Sequence, residues 1–242
     1  MIVKPNNKSS KSKKEQVSQM FDAIAFRYDF LNHFLSAGID KYWRKKAISN
    51  LVNCEVSRIL DIATGTGDLA ITTVKMFPSA SIVGIDISEK MLEIGHQKIK
   101  KLQLNDKIEL QSGDSEKIDF SDNYFNAITC AFGVRNFENL SVGLSEMYRV
   151  LGSGGRCIIL EFSRPKHFPF KQVYYFYFSY ILPLFGRLIS KDRSAYTYLP
   201  ESVNAFLDGE KFIEELEKVG FKNCSQKQLT FGIASIYVGN KI

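Results

Sequence analysis

The most restrictive feature of this sequence is a single junction. Arg58–Ala63 (RILDIA) is a short buried-strand run that passes through Thr64 into Gly65-Thr66-Gly67, and Leu69–Phe77 then reads as helix. A strand that turns on glycines straight into a helix opens a βα unit, which needs parallel neighbours to cover it. The neighbours follow along the chain. Ser81–Ile87, Lys107–Gly113, Phe125–Phe132 and Arg156–Ser163 are further strand-like runs, separated by helical periodicities. Ser88 is placed to cap the helix that carries Met91, Leu92, Ile99 and Leu102. Strand alternating with helix five times predicts a parallel, doubly wound sheet. A helix at Glu210–Val219 stops at Gly220, and Cys224–Phe231 and Ala234–Gly239 flank Gly232 as an antiparallel hairpin. The expected fold class is α/β: a doubly wound, mostly parallel seven-stranded sheet with a C-terminal antiparallel hairpin.

At 242 residues the chain can bury a core without metal or disulfide staples. Cys54, Cys130, Cys157 and Cys224 form no C-x-x-C pair, so a zinc site is not expected, and buried thiols in a reducing cytosol are. The N-terminus MIVKPNNKSSKSKKE has no apolar core of a secretory signal, and the longest apolar run, Val173–Gly186, contains Pro183 and is too short to span a bilayer. A cytoplasmic protein is expected. Of the net charge of +6, four units sit in residues 1–16, which hold five lysines against Glu15. The basic balance is thus a tail property and weak support for nucleic-acid binding.

Residues 1–16 read as a disordered basic tail, and residues 17–242 as one domain. Val17, Met20, Phe21, Ile24, Tyr28, Leu31 and Leu35 recur at steps of three and four, which predicts a helical cap over 17–52. Residues 164–199 break the βα rhythm and hold eleven of the 31 aromatics, with Arg164, Lys166, Lys171, Arg187, Lys191 and Arg193 at their edges. That composition suits a substrate-facing or membrane-facing insertion, with weak peripheral membrane contact; a buried lid is the alternative, and homo-oligomerisation is left open.

The glycine loop alone admits two cofactor classes. Gly65-x-Gly67-x-x-Ala70 matches the dinucleotide fingerprint, and Asp86, ending the second strand, could hold ribose hydroxyls in either class. Three features tilt the balance to S-adenosylmethionine. Asp61 stands before the glycines, where a carboxylate faces a methionine ammonium; Asp114-Ser115 end the third strand, where an acid accepts from an adenine amine; and the terminal hairpin is what class I methyltransferases add to a parallel sheet. The expected cofactor site is Asp61, Gly65, Thr66, Gly67, Asp86, Asp114 and Ser115, with no metal.

The flanking segments carry a more specific likeness. Phe21-Asp-x-Ile-Ala-x-Arg27-Tyr28-Asp29-x-Leu-Asn32, Leu35-Ser36-x-Gly38-Ile39 with Trp43-Arg44, Phe132-Gly-Val-Arg135-Asn136, Glu146-Met-Tyr-Arg149 and Leu160-Glu161-Phe162-Ser163 resemble the ubiquinone/menaquinone biosynthesis C-methyltransferases. Tyr174–Phe178, Pro183-Leu-x-Gly186 and Tyr198-Leu-x-Glu201-Ser202 extend the resemblance over about residues 17–240. It implies methylation of a ring carbon of a polyprenyl quinol by S-adenosylmethionine, with 2-demethylmenaquinol as the expected acceptor and the ubiquinone benzoquinol precursor as the alternative. Members commonly have histidine where this chain has Asp40.

Such chemistry needs a ring carbon made electron-rich by ionisation of a neighbouring hydroxyl. Arg135 is the sole cation of Ala131–Asn136, at the carboxyl end of the fourth strand, and could favour the phenolate; the alternative is that it pairs with an acid and fixes the loop. Asn136 could orient a quinol oxygen, and Tyr28 and Asp29 could cover the ring or take its proton. Three rivals are weighed. A nucleic-acid methyltransferase lacks its N/D-P-P-Y and Pro-Cys signatures here, a dehydrogenase would bind NAD instead, and a non-enzymatic quinone or lipid carrier would not need the glycine loop with Asp86 and Asp114.

Overall fold

A computed structural model describes residues 3–36, 38–52, 54, 56–177, 180 and 194–242. Its strands are β1 (Arg58–Ile62), β2 (Ser81–Asp86), β3 (Ile108–Ser112), β4 (Phe125–Ala131), β5 (Leu151–Phe162), β6 (Lys222–Leu229) and β7 (Ala234–Asn240). They form one sheet in the order β3-β2-β1-β4-β5-β7-β6. The first five pair in parallel, while β7 runs antiparallel between β5 and β6. The expected sheet and hairpin are both present. Strand order reverses at β1, which has β2 on one side and β4 on the other, so a crevice opens beyond their carboxyl ends.

Around the sheet lie α1 (Lys13–Leu35), α2 (Ile39–Ile48), α3 (Asp68–Met76), α4 (Glu89–Lys101), α5 (Leu140–Val150), α6 (Phe170–Phe176), α7 (Ser194–Ala205) and α8 (Glu210–Lys218). Successive strand residues point to opposite faces, so β1 feeds two cores at once. Ile59 joins Trp43, Ile48, Leu69 and Leu92 under α2, α3 and α4; Leu60 and Ile62 join Met147, Phe212 and Tyr237 under α5 and α8. Coverage on both faces is why β1 reads as an unbroken apolar run rather than an alternation. Ser88 caps α4 as expected, accepting from the Met91 N–H.

The N-terminal expectation is corrected. Ser12 and Glu15 form a reciprocal capping box: the Glu15 N–H donates to Ser12 Oγ at 3.1 Å and the Ser12 N–H to Glu15 Oε2 at 2.8 Å. Helix α1 therefore starts at Lys13, and Lys13 and Gln16, assigned above to a disordered tail, are buried. The Lys13 ammonium donates to the carbonyls of Arg135 and Phe137, and its backbone N–H donates to Glu138.

Of the aromatic insertion, α6 and α7 are described. Residues 178–179 and 181–193, including Phe178, Pro183, Gly186, Arg187, Lys191 and Arg193, lie outside the described residues. Arg164, expected as a free basic flank, instead pairs with Asp208 at 2.7 Å. Among the described residues no helix is long and apolar enough to cross a membrane.

Candidate active site

Two adjoining cavities, which share lining residues, occupy the crevice. The first, about 70 Å³, is a cleft of mixed character at the ends of β1, β2 and β3, with polar side chains at its rim. Gly65 and Gly67 take left-handed φ values of 56° and 79°, which only glycine adopts freely, and Gly67 sits directly before α3. Asp86 braces this turn, accepting from the N–H groups of Gly65 and Ser88 at 2.8 Å each, and burial raises its carboxyl pKa. Asp114 and Ser115 form the opposite rim, and Val17, Ile87, Met91 and Phe137 supply apolar walls. Lys14 of α1 reaches across to Asp114 at 2.6 Å.

Asp61 lies beside this cleft, 1% exposed. The hydroxyls of Thr64 and Thr129 donate to its two oxygens at 2.6 and 2.7 Å. Desolvation raises its pKa to about 6, against which the two hydroxyl bonds pull. No cation among the described residues lies within ion-pair distance of it. A buried carboxylate with hydroxyl donors but no counter-ion has room for a cationic partner.

The second cavity, about 420 Å³, is predominantly apolar and falls in the ~300–1,000 Å³ range of small-molecule sites. Its walls come from α1 (Met20, Ile24), α2 (Trp43), the strand ends (Phe132, Phe162), α6 (Phe170, Val173, Tyr174) and α7 (Tyr198). Phe21, Tyr28 and Phe132 line both cavities, so an aromatic partition stands where they meet. Ala63 and Phe132 hold left-handed φ values of 53° and 59° at the ends of β1 and β4, strain of the kind that collects at binding sites. Gly133 beside them is fixed by space: an added Cβ would lie 2.6 Å from that of Ala63 and 2.8 Å from Cys130 Sγ.

The structure brings Gly65, Asp86, Asp114, Ser115, Asn136 and Tyr28 to these cavities, sets Asp61 beside them, and reassigns others. Arg135 lines the apolar cavity, but its Nη1 pairs with Glu161 at 2.8 Å and also donates to the Phe132 carbonyl. The pair is buried, with side-chain exposures of 7% and 0%. The loop-fixing alternative is therefore real, while the Arg135 Nε and Asn136 Oδ1 atoms remain buried without a partner. Asp29 faces neither cavity and is consumed elsewhere: it accepts from Thr66 Oγ1 at 2.6 Å and pairs with Lys98 at 2.8 Å, which corrects its expected part as a proton acceptor at the ring. Thr66, expected at the cofactor, spends its hydroxyl on that bond. Lys98 continues to Asp68, Asp68 to Arg44 and Arg44 to Asp40, which also meets His33 Nδ1 at 2.7 Å. This chain of charges ties α1, α2, α3 and α4 together behind the loop. Trp43, Tyr198, Met91 and Lys14 were not named as site residues from sequence, because each reaches the cavities only through tertiary packing.

Comparison with known proteins gives one consistent pattern. Residues 9–241 match the sequence profile of the ubiE/COQ5 methyltransferase family. A demethylmenaquinone methyltransferase of Bacteroides fragilis is 48% identical over 239 residues, which span 99% of this chain and 97% of that protein. A ubiquinone/menaquinone biosynthesis C-methyltransferase of Geotalea daltonii is 49% identical over 230 residues, 95% of this chain and 97% of that one. Among solved structures, a SAM-dependent methyltransferase from Thermotoga maritima superposes with a TM-score of 0.67 at 17% identity, covering 93% of this chain and 99% of that one. The [4+2]-cyclase SpnF superposes with a TM-score of 0.71 at 16% identity, covering 94% and 96%. A cyclase on the same scaffold shows that this level of likeness speaks to fold alone.

Proposed function

The chain belongs to the ubiE/COQ5 methyltransferase family, and from that premise we propose that it C-methylates 2-demethylmenaquinol, using S-adenosylmethionine, in menaquinone biosynthesis. One observation carries the reading: a cleft rimmed by polar side chains, with a buried carboxylate lacking an ion-pair partner beside it, adjoins across shared aromatic residues an apolar cavity large enough for a fused ring. The donor set fits the cofactor. Asp61 offers a counter-charge to its ammonium, Asp86 retains acceptor capacity for ribose hydroxyls, and Ile87, Met91 and Phe137 offer apolar surface to the adenine between Asp114 and the sheet. When bound, S-adenosylmethionine supplies a methyl group on a sulfonium cation.

The remaining chemistry belongs to the chain. Tyr28 and Phe132 align an acceptor ring at the partition, and much of the rate follows from holding the ring in register. The Arg135 guanidinium, anchored by Glu161, presents fixed positive charge to a ring oxygen and favours its ionisation, which makes the adjacent carbon nucleophilic. Phe162 lies 5.5 Å under that guanidinium and keeps water from it. Asn136, on the same turn, adds a polar group at the polar cleft.

Incubation with methyl-labelled S-adenosylmethionine and short-chain demethylmenaquinol, with the product read by mass, tests this directly. One added methyl on ring carbon is expected; label on oxygen, or none, rejects it. An independent readout is built in, because Trp43 is the sole tryptophan and lines the apolar cavity. Titration with a soluble short-chain naphthoquinone is expected to quench its emission saturably, and linear, collisional quenching would place the ring elsewhere.

We further infer reversible membrane contact through α6. Val173 and Tyr174 of that helix face the cavity, whereas Tyr175 and Phe176 are exposed, as is Phe168 just before it at 80%. Lys166 and Lys171 flank them, exposed. A prenyl chain leaving the cavity along α6 would meet lipid at these aromatics. Replacing Phe168, Tyr175 and Phe176 with serine is expected to release the protein from anionic vesicles in sedimentation assays, and salt is expected to weaken the wild-type binding. Equal sedimentation of the two proteins would remove α6 from the membrane contact.

A further inference from the structure

Tyr198 is 2% exposed, lines the apolar cavity, and carries a hydroxyl that is buried with no hydrogen-bond partner. Buried hydroxyls in native proteins are almost always paired, so one that is not calls for a reason. Arg135 Nε on the same cavity shares the condition. A guanidinium Nε–H can only donate, and a phenol O–H donates readily. The two groups lie within electrostatic reach, since Arg135 pulls the Tyr198 pKa down against the burial that pushes it up to about 12. The phenol thus stays protonated at working pH and is a donor, not a base. Helix α7, which carries it, packs against the Val134–Asn136 turn, so both donors are held by one local contact.

Two unpaired donors in a predominantly apolar wall point to the missing group: an acceptor oxygen on a flat hydrophobic ligand. We propose that the Tyr198 hydroxyl is a substrate-recognition donor that hydrogen-bonds a ring oxygen of the acceptor beside Arg135. The proposal rests on the quinol reading above and adds the residue that senses the oxygen. It also fixes the sign of a stability effect. A hydroxyl buried without a partner costs the free protein its desolvation, so removing it relieves that cost, whereas a structural hydroxyl would be missed.

The test compares wild type with Tyr198→Phe. Calorimetric binding of 1-naphthol and of naphthalene, which lacks the oxygen, measures what the hydroxyl senses. Wild type is expected to prefer 1-naphthol about tenfold or more, and Tyr198→Phe to lose most of that preference. The variant is expected to melt at the wild-type temperature or above, to bind S-adenosylmethionine unchanged, and to methylate short-chain demethylmenaquinol about tenfold more slowly. An undiminished preference for 1-naphthol, or a variant that melts lower or fails to fold, overturns the proposal. The quinol reading fails separately: a wild type that shows the Tyr198-dependent preference yet transfers no methyl to the quinol keeps the donor and rejects that acceptor.

Discussion

Arg135→Ala is expected to destabilise the protein by about 3–5 kcal/mol and to abolish methyl transfer. The stability loss follows from what the substitution strands. Glu161 has no exposed side-chain surface, and Arg135 is its counter-ion at 2.8 Å. Burial already raises the Glu161 pKa, and the nearby Arg135 charge most strongly opposes it. Without the guanidinium the carboxyl must take up a proton or remain a buried, uncompensated charge, and the turn Val134–Asn136 keeps only the residue-135 backbone N–H bond to Glu161 as its link to β5. Adding Glu161→Gln to the alanine variant is expected to recover part of the melting temperature but none of the activity, because an amide carries no charge to strand. Arg135→Lys separates the two parts of the effect. Its ammonium can still meet Glu161 but cannot also present a second fork of the guanidinium to the cavity, so stability should return more completely than rate. Thermal melts beside single-turnover rates decide the matter, and an alanine variant that melts with wild type would show that the ion pair does not hold the turn.

The second large effect concerns Asp61. Asp61→Asn is expected to weaken S-adenosylmethionine binding by about 2–3 kcal/mol, roughly 30- to 150-fold, the scale for a hydrogen bond to a charged group. The fold should tolerate the change, because the Thr64 and Thr129 hydroxyls can rotate to suit an amide. The pH dependence has a definite sign. Asp61 has a folded pKa of about 6, above its ordinary value of 3.8. Between those values the folded protein holds a proton that the unfolded chain has released, so Asp61 makes stability fall as pH rises from about 4 to 6. Cofactor affinity runs the opposite way. The ammonium pairs with the ionised carboxylate, so affinity should rise up to about tenfold per pH unit below 6 and level off above it. In Asp61→Asn both slopes should vanish, leaving a protein that is at least as stable at pH 7 and barely binds. Calorimetric titration across pH 4.5–8 reads the affinity slope, and an unchanged slope in the variant would assign the ammonium to another group.

Much of this was legible in the chain itself. Strands covered on both faces are written as unbroken apolar runs, so RILDIA and SIVGIDI gave away the parallel sheet and the Asp61–Gly65–Asp86 cluster at its switch point. The flanking motifs pointed to the family that residues 9–241 match. What sequence concealed was of two kinds. Ser12-Lys-Lys-Glu15 is a local helix-start signal, outweighed in reading by the lysines around it, which is why the tail was drawn four residues too long. The other misses are non-local. Nothing in the spacing of Arg135 and Glu161, 26 residues apart, announces an ion pair; it exists because β4 and β5 are neighbours. Asp29 looked like a ring-facing acid until Lys98, on a different helix, claimed it. The cavity walls come from α1, α2, α6 and α7, so no single segment carries the signature of a pocket.

Helix α1 leans on both cavities. Its Lys14 and Val17 border the polar cleft, its Met20 and Ile24 border the apolar cavity, and its Phe21 and Tyr28 border both. An element shared in this way makes the two occupancies partners in one equilibrium. Any factor by which a nucleoside in the cleft steadies α1 and tightens the hold on the ring must be returned, in full, as tighter hold on the nucleoside once the ring is in place. Lys14, paired with Asp114, sets the starting point of that exchange if Asp114 receives the adenine amine as proposed, because the amine then competes with that ion pair. On the proposed assignment, the stretch of α1 from Lys14 to Tyr28 thereby sets how strongly each half of the reaction feels the other.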